Sequence, residues 1–367
     1  MKHTKGGPSG SPFSSPPFMT QRLFTGLILL GFLVSARGED LNLFTYKQPH
    51  MGTEFTFRVW AEQGQVEDLT LLSEKAFARV AELNQIASDY LPESEINDFA
   101  RAPSGEPVPV SRDLYRLLDL SAQLSRETDG AFDATAGPLI RLWRMTKKNR
   151  RLPTPEQLAS ARARTGAGLL RFDPVARTIT KLSDGMLFDL GGIAKGYAAD
   201  AALAIFREGG FPRALVGASG DIVVGDPPPN EKGWRIGIET LHLGDKLADL
   251  QTVTLANRAI STSGDTRRYF ELDGIRYSHI VSTRTGMGLT ERIGASVIAP
   301  NATTSDSYAT AVTLLGEKDG LQFIRNKREI ECQIVALRNG QEVAIRTDGF
   351  SRFEEKKAEE KSPVSAP

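Results

Sequence analysis

From 39 to 60 apolar and polar residues alternate, with Phe55, Phe57 and Val59 on one face, and this period of two predicts an opening strand. The period then changes. Leu69, Leu72, Ala76, Val80 and Leu83 recur at helical spacing and predict an amphipathic helix over 66–86. A second helix is predicted over 111–128 with Ser111 as its N-cap, and a short third over 153–163, capped by Thr154 with Pro155 at its first position. Downstream the chain reads mostly as strands, at 169–179, 186–190, 214–224, 234–238, 251–260, 268–282 and 294–298. A helix over 304–315 interrupts them, and 329–347 reads as a hairpin closed by Asn339-Gly340. No Pro/Gly linker divides 40–350, and no repeat recurs. The pattern predicts a single large α+β domain over 37–350, its antiparallel-rich sheets flanked by helices. The charged, Ala/Pro/Ser-rich stretch 351–367 reads as a disordered tail.

The N-terminus follows a different rule. An apolar run from Leu23 to Val34 is preceded by Arg22 and followed by the small-residue site Val34-Ser-Ala36. The run is shorter than the ~20 residues of a spanning helix, so 1–36 is predicted to be a secretory signal peptide. Residues 19–36 alone have ordinary signal-peptide proportions, which makes Met19 an alternative start that N-terminal peptide mapping of the precursor would reveal. No cysteine follows the run, so no lipid-modified N-terminus is expected. The expectation is an exported protein of the periplasm or cell envelope, without a transmembrane span after processing. The 367 residues hold 45 Lys and Arg against 45 Asp and Glu; processing removes Lys2, Lys5 and Arg22 and no acid, leaving a net charge of −3. Such a balance offers no field for nucleic acid or acidic lipid. The single cysteine, Cys332, lies in the alternating stretch 330–336 and reads as a buried strand thiol. With no disulfide available within the chain, stability must come from a large core.

The chemistry is concentrated around Asp189-Leu-Gly-Gly-Ile-Ala-Lys-Gly-Tyr-Ala-Ala-Asp200. An apolar segment ends in an acid, breaks at a Gly pair and enters an Ala-rich helix. That arrangement brings backbone close to a ligand and aims free N–H groups at it. Five further segments accompany it: His50-Met-Gly-Thr53; Ser88-Asp-Tyr90 with Ser94-Glu-Ile96; Gly130-Ala-Phe-Asp-Ala-Thr-Ala-Gly-Pro-Leu139 with Leu142-Trp143; Ile260-Ser-Thr-Ser-Gly-Asp265 with Tyr277-Ser-His-Ile280; and Ser305-Asp-Ser-Tyr-Ala-Thr310. Together, over about 51–316, they resemble the ApbE-type FAD:protein FMN transferase family, flavin transferases of the bacterial cell envelope.

The resemblance implies an ApbE-like fold and a reaction that splits FAD at its pyrophosphate. FMN passes to a Thr or Ser hydroxyl of a partner redox protein, AMP is released, and a divalent cation, normally magnesium, is required. Such a site must neutralise the pyrophosphate, supply a base for the hydroxyl and grip the two ends of FAD. Asp306 and Thr310 lie i, i+4 on the predicted helix, about 5–6 Å apart at Cβ on one face, and their hard oxygens suit magnesium. The resemblance makes them the metal ligands together with a backbone carbonyl near Gly192. An acid in a first helical turn and a back-bonding threonine are the structural alternative. For the base, His279 is one of three histidines of the processed chain, with His50 and His242, and it titrates where a base is useful. A hydrogen-bonded structural histidine is its alternative, Asp265 is a second candidate, and His242 is given no role. Met51, Tyr90, Ala131, Phe132, Asp133, Asp189, Lys195 and Ile280 match positions where the family contacts FAD. Of these, Met51 and Phe132 would also pass as core residues and Asp133 as a turn or cap. Trp143 reads as packing.

Three departures from the family pattern stand out: Ser219-Gly-Asp221 for Gly-Gly-Asp, Ser282-Thr-Arg-Thr-Gly286 for Asp-Pro-Arg-Thr-Gly, and Ser305-Asp-Ser307 for Ala-Asp-Ala. Ser219 is expected to narrow a backbone approach, and loss of an acid at 282 to remove a charge near His279. Two other activities fit the same residues: an FAD pyrophosphatase giving FMN and AMP, and a non-catalytic FAD carrier. The family's acceptors carry an Asp-x-x-Ser/Thr-Gly-Ala-Ser/Thr signature. This chain has no full match, so self-flavinylation is not expected.

Overall fold

Where the alternation predicts one opening strand, two are found: β1 (Leu41–His50) and β2 (Thr53–Glu62) pair antiparallel around Met51-Gly52. Both turn residues have left-handed φ, 50° and 71°, as a two-residue hairpin turn requires. The period-two pattern runs through so short a turn unbroken, so hydropathy alone does not mark it. The structure is a computed structural model and describes residues 41–238, 251–264 and 269–355. The predicted signal peptide, His242 and Asp265 lie outside them.

The remaining strands are β3 (Pro107–Pro109), β4 (Leu170–Asp173), β5 (Thr178–Lys181), β6 (Ala214–Ala218), β7 (Asp221–Val224), β8 (Trp234–Ile238), β9 (Gln251–Leu255), β10 (Arg258–Gly264), β11 (Tyr269–Leu272), β12 (Ile275–Ser278), β13 (Ile293–Ala299), β14 (Glu331–Arg338) and β15 (Gln341–Arg346). The helices are α1 (Val66–Ala87), α2 (Glu95–Arg101), α3 (Arg112–Glu127), α4 (Gly137–Asn149), α5 (Pro155–Arg162), α6 (Ala194–Glu208) and α7 (Ala302–Arg325). An eight-stranded sheet runs β1-β2-β6-β7-β10-β13-β14-β15 with every neighbouring pair antiparallel. Neighbouring residues of its central strands point to opposite faces. Val223 and Ala259 join the main core with α1 and α6, Val297 packs with α7, and Val224, Ile260 and Ile298 meet the β8–β9 pair on the other face. Covered on both sides, β13 is buried along its whole length.

The caps read from sequence hold. Ser111 accepts the N–H of Leu114, and Thr154 forms a capping box with Gln157 at the start of α5. Cys332 is fully buried in β14, and burial pushes its thiol well above the ordinary range, which makes it inert. Two expectations need correction. Residues 186–190 form no ladder: Met186, Phe188 and Leu190 are buried in alternation, but the segment lies extended against the 130s loop, with the Asp189 N–H donating to Ala134 O at 2.8 Å. The helix expected over 304–315 does stop at Gly316, whose φ of 80° and ψ of −177° are non-helical, and the rest of α7 is a second helical stretch beyond that break. The tail begins later than 351: Phe350 is buried, Glu354 bridges Val253, and Glu355 pairs with Arg235 at 2.5 Å. Among the described residues no helix is long and apolar enough to cross a membrane.

Candidate active site at a Gly-Gly turn between two helices

The turn is held from below by Asp189, whose Oδ1 accepts the Gly191 N–H at 2.8 Å. A Cβ at Gly192 would lie 3.0 Å from the Thr310 side chain and 3.2 Å from the Phe132 ring, so three predicted site residues meet at one backbone position. Four residues on, a Cβ at Gly196 would fall 2.1 Å from Ala302 O and 2.8 Å from the Asp306 Cβ. α6 and α7 therefore cross here with only glycine between them. Asp200 locks the crossing, accepting from the N–H groups of Ala302 and Thr303 and from the Thr303 hydroxyl at 2.7, 2.8 and 2.5 Å. The start of α7 is thereby registered against α6, and one and two turns later it presents Asp306 and Thr310.

Asp306 is 3% exposed and accepts the Gly196 N–H at 3.0 Å. The Lys195 ammonium sits 2.5 Å from Asp221 and 3.4 Å from Asp306. Burial, and then the Asp221 charge, push Asp306 up to about 7 against the pull of Lys195. Burial pulls Lys195 down, but the two carboxylates outweigh it and hold the ammonium above its ordinary range. Lys195 thus braces two acids. Asp221, to which the motif assigned no role, is its nearest partner.

The segment before the turn is fixed mainly by Asp133. Its Oδ1 accepts the N–H and hydroxyl of Thr135, and its Oδ2 accepts the Ser125 hydroxyl and the Ala167 N–H. This carboxylate shapes the loop. Ala131 and Phe132 are both 4% exposed. The Thr283 hydroxyl donates to Gly130 O at 2.7 Å, and the Trp143 indole to Ser278 O at 3.2 Å. These bonds seat the loop bearing His279 and Ile280 beside Ala131–Asp133, with His279 exposed and Ile280 half-buried. Tyr90 is 74% exposed on a loop whose backbone is tied by Asn97, which donates to Asp89 O and Leu91 O.

Sheet register gathers the rest. Phe55 pairs with Ala218 and Asp221 with Ser261, so the Met51-Gly52 turn, the Ser219-Gly220 turn and the Gly264 end of β10 share one end of the sheet. Met51 holds a left-handed φ of 50° that favours Asn or Gly. Met51→Asn is expected to leave the melting temperature within a few degrees, because relief of about 1 kcal/mol of backbone strain offsets lost packing. FAD affinity should fall severalfold, as read by a flavin fluorescence titration.

The departures are accommodated. Ser219 takes φ 61° at an exposed turn, where a non-Gly residue carries local backbone strain. Ser282 Oγ accepts the Thr285 N–H at 3.4 Å, supplying an acceptor to the turn through Gly286. Ser305 is fully buried and bonded to the Ser261 hydroxyl at 2.8 Å. No group of three or more His, Cys, Asp or Glu among the described residues forms a metal cage. One buried carboxylate, one hydroxyl and a backbone turn are what magnesium needs when it keeps waters and phosphate oxygens as its other ligands. The residues fit that ion and do not fit a zinc site.

The ApbE family model matches residues 51–334, spanning every segment of this site. The chain belongs to the ApbE family. Among curated proteins it is 32% identical over 276 residues to a FAD:protein FMN transferase of Vibrio cholerae, covering 74% of this chain and 81% of that one. It is 31% identical over 264 residues to the FAD:protein FMN transferase of Escherichia coli K12, covering 70% and 74%. Among solved structures, the flavin transferase ApbE from Vibrio cholerae superposes with a TM-score of 0.77 at 28% identity, over 85% of this chain and 99% of that one. The flavinyl transferase ApbE of Pseudomonas stutzeri superposes at 0.75, also at 28% identity, over 87% and 98%. The ApbE fold is thus the α+β architecture described above. Sequence reasoning missed Arg144, Asp89 and the brace made by Asp221, all of which depend on pairings across the fold.

Proposed function

We propose that this ApbE-family protein is a magnesium-dependent FAD:protein FMN transferase that flavinylates a Thr or Ser of an extracytoplasmic redox protein. The observation carrying this reading is the convergence of Thr310, Phe132 and Gly192, with Asp306 one helical turn away, at a turn open to a pyrophosphate. Asp306, Thr310 and the Gly192 carbonyl would hold magnesium, which would supply charge neutralisation on the pyrophosphate. Lys195 lies beside the same carboxylate and adds positive charge at that end. The acceptor hydroxyl oxygen attacks the FMN-side phosphorus, a new P–O bond forms, and the bond to the bridging oxygen breaks so that AMP leaves with its electron pair. The hydroxyl proton passes to a base, for which His279, exposed beside Ala131–Asp133, is the candidate and Asp265 the second. Tyr90, Met51 and Ile280 offer apolar and aromatic surface to the rings.

Export to the periplasm or cell envelope rests on the N-terminal apolar run, and the partner is a flavoprotein subunit bearing the Thr/Ser signature. The test uses purified protein, FAD, magnesium and an acceptor with that signature, its products resolved by mass. FMN bound covalently to the acceptor, with AMP released in equal amount, is expected. Free FMN with AMP would instead mean a pyrophosphatase, and unchanged FAD a carrier.

A further inference from the structure

Arg144 has no role in the reaction described above, yet it joins three residues of the site. From α4 its guanidinium donates Nη1 to Asp89 Oδ2 at 2.5 Å and Nη2 to Asp189 Oδ2 at 2.9 Å. Its Cζ also lies 4.4 Å from the centroid of the Tyr90 ring. The two carboxylate side chains are each 17% exposed and the guanidinium 40%. Side by side, the carboxylates repel; one planar cation bridging both relieves that repulsion. Asp189 in turn grips the Gly191 N–H with its other oxygen, so the guanidinium is two bonds from the Gly-Gly turn.

Tyr90 is the second half of the arrangement. Most of its ring is exposed, its loop is pinned by Asn97 and Ser88, and the guanidinium packs against the ring. An aromatic side chain so held loses little freedom when a second flat ring stacks on it. Lysine is a poor substitute, because a point charge has no planar fork and does not lie flat on a ring.

We propose that Arg144 is a substrate-positioning residue, acting through Tyr90 as a stacking platform for a planar ring of FAD and through Asp189 on the turn that receives the pyrophosphate. The proposal rests on FAD being the substrate.

Its test is FAD binding by flavin fluorescence, without magnesium or acceptor, in wild type, Arg144→Gln, Arg144→Lys, Tyr90→Ala and the Tyr90→Ala/Arg144→Gln double variant. Arg144→Gln is expected to weaken binding about tenfold and Arg144→Lys nearly as much. The KM for FAD should rise by more than kcat falls. The loss in the double variant should be smaller than the product of the single losses, since one residue acts partly through the other. FAD binding by Arg144→Gln and Arg144→Lys within twofold of wild type, or losses that multiply in full, would overturn the proposal. A wild-type protein that binds no FAD would overturn the transferase reading itself, and this inference with it.

Discussion

Asp306→Ala is expected to lower FMN transfer at least about a thousandfold while weakening FAD binding less than about tenfold. The ring contacts survive the change, whereas the carboxylate that would hold the charge-neutralising cation is lost. The side chain also has a structural duty that the sequence does not reveal. It accepts the Gly196 N–H where α6 and α7 cross, so alanine should cost about 1–3 kcal/mol of stability by orphaning that donor. Asp306→Asn separates the two duties, because the amide oxygen still receives the Gly196 N–H but carries no charge. It should melt close to wild type and be as inactive as alanine. Thr310→Val should be milder, because water can replace a neutral oxygen, and raised magnesium should rescue it in part but leave Asp306→Ala inactive. Wild-type turnover by Asp306→Asn at limiting magnesium would reduce Asp306 to a helix-packing residue.

Lys195→Met is expected to remove both activity and about 3 kcal/mol of stability at neutral pH, the low end for breaking a buried ion pair. The ammonium is 27% exposed, but Asp221 and Asp306 behind it are 4% and 3% exposed and would be left without compensation. The loss has a definite pH dependence. Asp306 is already pushed up to about 7 with the lysine in place, and a carboxyl raised in the folded state contributes stability at low pH that fades as pH rises through its folded value. Removing the cation raises it further. The difference in melting temperature between wild type and Lys195→Met should therefore be small near pH 4 and grow as pH rises toward and beyond 7. A difference constant across that range would mean that Lys195 acts by packing alone.

Much of the fold was legible because its signals are local. The N-caps Ser111 and Thr154, the Asn339-Gly340 turn and the helical spacing of Leu69, Ala76, Val80 and Leu83 each lie within a few residues of what they specify. Two-residue turns were not legible where alternation continues through them, as at Met51-Gly52 and Ser219-Gly220. The extended run 186–190 alternates like a strand because its side chains are buried in alternation, and nothing local announces that it lacks a ladder. α4 escaped notice because only a narrow stripe of it, including Leu139, Trp143 and Thr146, is buried, and Arg144 was overlooked with it.

The site divides in the same way. Gly192, Asp306 and Thr310 sit in recognisable segments, and the fold brings Gly192 against Thr310 with Asp306 one helical turn away. The brace from Lys195 to Asp221 spans 26 residues, and the link from Arg144 to Asp89 spans 55. Neither has a local sequence signature, so only the packed chain shows them. Asp133 illustrates the opposite outcome: a motif residue whose carboxylate proves to be fully engaged in holding its own loop.

The central claim is that the FAD pyrophosphate and its cation sit over the Gly-Gly turn against α7. A crystal structure of the protein with FAD and manganese, located by its anomalous signal, tests it most directly. The expected result is one ion at about 2.0–2.3 Å from oxygens of Asp306, Thr310 and the Gly192 carbonyl, completed by pyrophosphate oxygens and water. An ion bound elsewhere, or FAD bound with its pyrophosphate away from this turn while Lys195 still bridges Asp221 and Asp306, would contradict the account.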